Sequence, residues 1–343
     1  MRGFESHSGL LNERAFIWRD GERIIRFADG LLDSAPDLLA EHGWADYHLL
    51  TTERALAAAP ATLAANAKGV HHVPPGPVNE VSAELFDDVD ADHLVALGGG
   101  RVIDAAKAIA AVRVARVAAI PTTLSGAELT TIHRLPEGRQ AGGLVRPALV
   151  IADAEQMVTL PEDRLRASAM NALAHGAEPL YTPFANPVAT MATLRGAALI
   201  SASLDAGPDR EAWPLALGSI LCAYALDSGL FALHHVVCQT LVRTLRIPHA
   251  ETNATMLPRT MGAMRARAPQ AIEALAEALG TEIDWIEGRI ETLGGGPRRL
   301  SELGADESGI DAAIEGMLAR AELGFTPNPP DGAELRALIE SAW

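Results

Sequence analysis

The chain has 343 residues, with 28 lysines and arginines against 44 aspartates and glutamates, for a formal net charge of −16. That length is too great for one small core and suits two domains, and the acidic excess argues against a nucleic-acid backbone as partner. Apolar residues make up 48% of the chain, yet no uncharged apolar run reaches the roughly eighteen residues of a membrane span. The N-terminal stretch MRGFESHSGLLNER lacks the apolar core of a signal peptide. Cys222 and Cys238 are the only cysteines, which fits two reduced thiols and an expected cytoplasmic location rather than a disulfide framework.

In chain order, Asp46 to Thr51 reads as a strand, Arg54 to Ala67 as an alanine-rich helix and Gly69 to Val73 as a short strand. Ser82 to Asp88 reads as a helix and Leu94 to Leu97 as a buried strand. Gly98, Gly99 and Gly100 follow as a turn, Arg101 to Val112 as a helix and Val117 to Ile120 as the next parallel strand. Pro136 to Val145 reads as a loop or hairpin, and Ala148 to Ala152 as a further strand. This alternation predicts a parallel sheet covered by helices, with ligand bound at the carboxyl ends of the strands. From Leu160 the pattern changes. Pro161-Glu162-Asp163 is a helix-start signal. The remainder is rich in alanine and leucine, with breaks at Pro183, Pro187, Pro248, Pro258, Pro269 and Pro327 to Pro330. The expected division is therefore a dinucleotide-binding α/β domain over 1–156 and a helical substrate domain over 157–343.

The glycine turn is the first candidate site. Free N–H groups at a helix start, with no Cβ in the way and a favourable dipole, hold a phosphate. Asp104 suits the dipole in the first turn, and Lys107 is one of only two lysines, beside Lys68. An ordinary βαβ turn would account for the glycines alone. Glu53, just past a strand, could accept from a ribose and favour NAD over NADP. A plain helix-start carboxylate explains it equally well.

The second candidate site lies in the helical half. Asn171 and His175 are four apart, as are His235 and Gln239, so each pair shares a helix face. His249 follows a proline fourteen residues beyond His235. Such pairs can converge between helices, as in bundle metal and substrate sites. A single helical histidine is more often an ordinary hydrogen-bonded residue, and that reading is preferred for His234.

Two stretches, GGG-x-x-x-D-x-x-K at Gly98 to Lys107 and PTT-x-x-x-x-E at Pro121 to Glu128, resemble the nucleotide-binding signatures of the iron-containing (group III) alcohol dehydrogenases. Arg101 stands where that family usually has serine. The resemblance implies an N-terminal Rossmann-like parallel-sheet domain and an all-α C-terminal domain, the fold shared with dehydroquinate synthases. It also implies NAD or NADP held by Glu53, Gly98, Gly99, Gly100, Arg101, Val102, Asp104, Lys107, Thr122, Thr123, Ser125 and Arg139, and a homodimer.

Metal-dependent members carry Asp-x-x-x-His, His-x-x-x-His and Pro-His. Here His175, His235 and His249 fall on three ligand positions, Asn171 on the aspartate and Gln239 on the remaining histidine. A neutral amide is a poor substitute for an anionic oxygen, which weighs against tightly bound iron or zinc. If a metal were bound, those three histidines would hold it. Asparagine at that position is typical of the maleylacetate reductase branch. MNALAHGAEPLYTPFANPV (170–188) and LHHVVCQTLVRTLRIPHAETNATMLP (233–258) look like that branch. Gln239 and Val242-Arg243 depart from it.

The resemblance implies NAD(P)H-dependent reduction of maleylacetate, or a similar anionic unsaturated oxo acid, in aromatic compound catabolism. His175, His235, His249, Asn171 and Gln239 would form the catalytic group, with Tyr181 and Arg243 near a substrate carboxylate. The alternatives are a metal-dependent alcohol dehydrogenase or aldehyde reductase, a nucleotide-binding homologue with altered catalysis, and a lyase like the dehydroquinate synthases.

Overall fold

The computed structural model describes residues 16–140 and 142–343, with the side chains of 16–19 outside that description. The N-terminal stretch MRGFESHSGLLNER, expected to lack a signal-peptide core, therefore lies outside the described residues. Contacts divide the described residues into two compact units: those up to 122 with 133–157, and 123–132 with 158–343. Residues 123–132 thus group with the helical unit, although they precede the expected domain boundary at 156–157.

The first unit is a seven-stranded sheet of β1 (Phe16–Asp20), β2 (Arg23–Ala28), β3 (His48–Thr51), β4 (Gly69–His72), β5 (His93–Gly98), β6 (Arg116–Pro121) and β7 (Leu149–Asp153). Their order is β1-β2-β7-β6-β5-β3-β4. All neighbours are parallel except β1 and β2, which form a hairpin. Gly21 turns that hairpin at φ 62°, a conformation that glycine adopts without strain. β5 lies in the middle of the sheet, and its residues Leu94 to Leu97 are completely buried, as expected for a parallel strand covered on both faces. Val95 and Leu97 share one core with Ala118, Ile120, Leu149 and Ile151, the two-residue alternation of a sheet face.

Two expected helices differ. The stretch from Arg54 to Ala67 is two short helices, Glu53–Ala57 and Ala61–Ala65. Pro60 stands between them in an extended conformation, because proline has no N–H to continue the first. The helix expected at Ser82 begins earlier, at Val78, immediately after Pro77.

The second unit is helical. Its long members are Glu162–Ala177, Pro187–Asp205, Ala212–Gly229, Leu233–Leu245 and His249–Met264. Pro258, expected to break the chain, lies inside the last of these. That helix buries Thr252 to Pro258 continuously, and packing on this scale outweighs one missing backbone bond. Among the described residues, no single helix is long and apolar enough to cross a membrane.

Candidate active site

In the first unit the turn after β5 leads directly into the helix Gly100–Arg113. A Cβ on Gly98 would sit 2.7 Å from a Val102 methyl carbon, so glycine lets the helix pack closely on its strand. Gly99 caps the helix in an extended conformation, and no side chain caps that end. Its first N–H groups are thus open to an anion at the carboxyl end of β5. Glu53 is exposed at the end of the neighbouring β3, and Arg101 is exposed on the first helical turn.

Lys107 is fully buried and its ammonium bonds Asp104 at 2.8 Å. Asp104 and Lys107, both expected at the cofactor, therefore pair with each other. Arg139 stacks its half-exposed guanidinium 4.1 Å over the Phe86 ring, with the exposed Asp87 carboxylate at 3.9 Å. Thr122 is buried at the end of β6.

In the second unit, His175 ends the helix Glu162–Ala177 and His235 begins the helix Leu233–Leu245. Their rings stack with centroids 5.0 Å apart and planes 19° off parallel. Both are buried, and His175 Nδ1, His235 Nε2 and Asn171 Oδ1 have no hydrogen-bond partner. Buried polar atoms without partners are rare and mark a site kept for something else.

Glu178, one turn beyond His175, explains how His235 is held. Its fully buried carboxylate accepts from the backbone N–H groups of Ala232 (3.0 Å), His234 (2.7 Å) and His235 (3.3 Å). His235 Nδ1–H also donates to Glu178 Oε2. The carboxylate therefore caps the helix start and fixes the imidazole tautomer, leaving Nε2 as a bare lone pair. Burial raises the Glu178 carboxyl pKa, partly offset by His234 and the three backbone donors.

The electrostatics keep the imidazoles neutral. Burial holds His175 well below its ordinary range, and charges on His235, His249 and His234 act in the same direction. Burial, then His249, then Arg320, lower His235 to about 3. His234 is also lowered to about 3, by burial first and His235 second. Both of its nitrogens are occupied, at 2.9 Å from Thr260 Oγ1 and 2.9 Å from Asn253 Oδ1, so it braces two helices.

The remaining expected residues divide. His249 is the exposed first residue of its helix, near enough for its charge to act on both stacked imidazoles. Gln239 lies one turn beyond His235 and accepts from Arg320 at 2.8 Å. Tyr181 is buried and donates its hydroxyl to Glu178 at 3.3 Å, so it supports that carboxylate rather than facing a substrate. Arg243 is exposed eight residues after His235, about 12 Å along the helix, and so stands away from the imidazole pair. Thr123 Oγ1 is buried without a partner, and Ser125 accepts from Ala127 N at 3.5 Å.

Gly126, in the same loop, has φ +72°, and a Cβ there would fall 3.0 Å from His175 Nδ1 and 2.8 Å from Ala223 Cβ. Three residues of the site escaped the sequence pattern: Glu178, Gly126 and Arg320. Only Glu178 left a trace, three positions beyond His175 on the same turn.

Comparison with known proteins follows the same lines. Residues 23–154 match a family model described as iron-containing alcohol dehydrogenase, and residues 166–343 match the C-terminal model of the Fe-containing alcohol dehydrogenase family. The chain is 34% identical over 281 residues to a maleylacetate reductase of Rhizobium sp. (strain MTP-10005), covering 78% of this chain and 79% of that one. It superposes on the crystal structure of a maleylacetate reductase from Agrobacterium tumefaciens with a TM-score of 0.81 at 30% identity, covering 96% and 98% of the two chains. The fold is also that of a sulfoacetaldehyde reductase from Bifidobacterium kashiwanohense, solved in complex with NAD+, at 20% identity and a TM-score of 0.78 over 93% and 96% of the chains.

Proposed function

The chain belongs to the iron-containing alcohol dehydrogenase family and is an oxidoreductase, and within that family we propose that it reduces maleylacetate, or a similar unsaturated oxo acid, with NADH or NADPH. The observation that carries this reading is the uncharged polar group in the helical unit. Asn171 stands one turn from the stacked pair His175 and His235, and each of the three has a buried atom without a partner.

These donors do not suit a tightly bound divalent metal. Asn171 offers a neutral amide oxygen where a divalent ion gains most from an anionic one. Metal-dependent alcohol oxidation is therefore the weaker reading. The uncapped helix start after Gly99 and the close packing at Gly98 suit a dinucleotide diphosphate. Glu53 favours NADH. Bound NAD(P)H supplies the hydride.

Hydride addition to the alkene carbon β to the ketone pushes an electron pair toward the ketone oxygen, and a proton then returns to the α carbon. Imidazole and amide N–H groups stabilise that oxygen as its charge grows. His235 is held by Glu178 so that Nε2 can take up and release a proton. Gln239 does not ionise near neutral pH, so proton transfer falls to the imidazoles or to water.

Purified protein incubated with NADH and maleylacetate should deplete the reduced-nicotinamide absorbance, with one equivalent consumed per maleylacetate. An unchanged trace, alongside turnover of a simple aldehyde, would reject the substrate class.

A further inference from the structure

Gln239 breaks the family pattern, and the structure gives it a definite partner. Arg320, in the short segment between the helix Ile310–Leu318 and the turn Ala321–Phe325, donates from Nη1 to Gln239 Oε1 at 2.8 Å. Its other edge faces Glu322, with Nε 3.3 Å from Oε2 and Nη2 3.2 Å from Oε1. The guanidinium carbon stands 5.5 Å from the centroid of the Phe231 ring, and that ring lies 5.6 Å from the ring of His235. The side chain is mostly buried, at 17% exposure, and its charge is felt by His235.

A guanidinium has five N–H donors, and three are used in these bonds. Two remain on a cation that is immobilised on two sides and backed by an aromatic face. A planar donor group held in this way matches a carboxylate in two-point geometry. Gln239 is four residues beyond His235 on the same helix face, about 6 Å along the axis. A short dicarboxylate held at Arg320 would extend its reacting carbons toward the imidazoles one turn away.

We propose that Arg320 is the carboxylate anchor of this site and that Gln239 is the positioning residue that aims it. This rests on the oxo-acid reading above and adds the means of recognition to it. Glutamine suits the role because its carbonyl is an acceptor at every pH, whereas a histidine would lose its lone pair on protonation. The departure from the family pattern thus serves substrate holding rather than proton transfer. Glu322 orients the cation from the far side and tempers its charge, so that an anion binds reversibly.

The test uses the full-length protein with R320M, R320K, Q239L and Q239E, each checked for a native circular dichroism spectrum and melting curve. With maleylacetate and NADH, R320M should raise KM by about 10- to 100-fold with kcat within about 3-fold. R320K, a charge without the planar fork, should fall between R320M and the natural enzyme. Q239L should raise KM by less than R320M and leave the pH profile unmoved. Q239E should raise it further by neutralising the arginine. The dimethyl ester of maleylacetate, which has no carboxylate, should lose nothing in any variant.

Binding of adipate, a saturated dicarboxylate, is measured separately by titration calorimetry, with R320M expected to weaken it about 10-fold. If the natural enzyme leaves maleylacetate untouched while R320M still loses adipate, the substrate reading falls and the anchor stands. If the natural enzyme turns maleylacetate over while R320M keeps its KM and its adipate affinity, the anchor falls.

Discussion

Three imidazoles in the helical unit are buried where a charge is costly. His234 and His235 are lowered to about 3 and His175 is also held well below its ordinary range, whereas in the unfolded chain each titrates near about 6.5. Between these values the unfolded state binds more protons than the folded one, so stability rises with pH. Each imidazole contributes stability that is complete above its unfolded value and is lost as the pH falls below it, at about 1.4 kcal/mol per pH unit. At pH 5.5 the three together withdraw about 4 kcal/mol, a large share of a typical folding free energy. The Glu178 carboxyl shifts upward and so adds stability as the pH falls, but it is one group against three. Thermal unfolding at constant ionic strength should show a melting temperature that is level above about pH 7 and drops steeply from pH 6.5 to 5.5. A level curve across that interval would mean that these rings take up protons in the folded state.

At the scale of elements, the loop 123–132 matters more to the site than its length suggests. Gly126 has φ +72° and presses its backbone against the His175 ring. Alanine there would adopt the left-handed conformation at a cost of about 1 kcal/mol. Its Cβ would also collide with His175 Nδ1 and with Ala223. G126A should therefore lower the denaturation midpoint by the equivalent of about 2 kcal/mol or more and reduce kcat by displacing the imidazole. The double variant G126A/A223G, which removes one of the two collisions, should recover part of the stability but little of the activity. Full activity in G126A would show that the loop leaves His175 free to move.

The same elements show what a sequence can reveal. β5, its glycine turn and its helix were legible because an apolar run, three glycines and a helical period are all local signals. The hairpin β1–β2 is signalled only by Gly21 between short apolar runs, with Asp20 paired to Arg23 across the turn. The break at Pro60 was legible in principle, and the continuity through Pro258 was not, since it depends on what packs around that helix. In the site, Asn171 with His175 and His235 with Gln239 were visible as four-residue spacings on single helices. Arg320 lies eighty-one positions from Gln239, and no local pattern joins residues that only the tertiary fold brings together.

For the whole molecule the governing quantity is the net charge of −16. Many of its cations are neutralised where they stand: Arg210 and Arg166 on Glu162, Arg289 on Asp205, Arg267 on Glu334 and Arg113 on Asp90. Their fields cancel over a few ångströms, so the unbalanced carboxylates dominate at long range. A dianionic substrate approaching such a protein is repelled before any short contact forms. Raising the salt from about 10 mM to 150 mM shortens the screening length from roughly 30 Å to 8 Å. That change removes the distant repulsion while sparing a mostly buried cation such as Arg320. With NADH saturating, kcat/KM for maleylacetate should therefore rise with potassium chloride over this range, by about 2- to 5-fold. The dimethyl ester should give a flat line, which separates screening from a general effect of salt on the enzyme. A steep fall for the dianion would mean that a positive potential extends from the site well into solvent. The anchoring of the carboxylate would then have to be shared among more cations than Arg320.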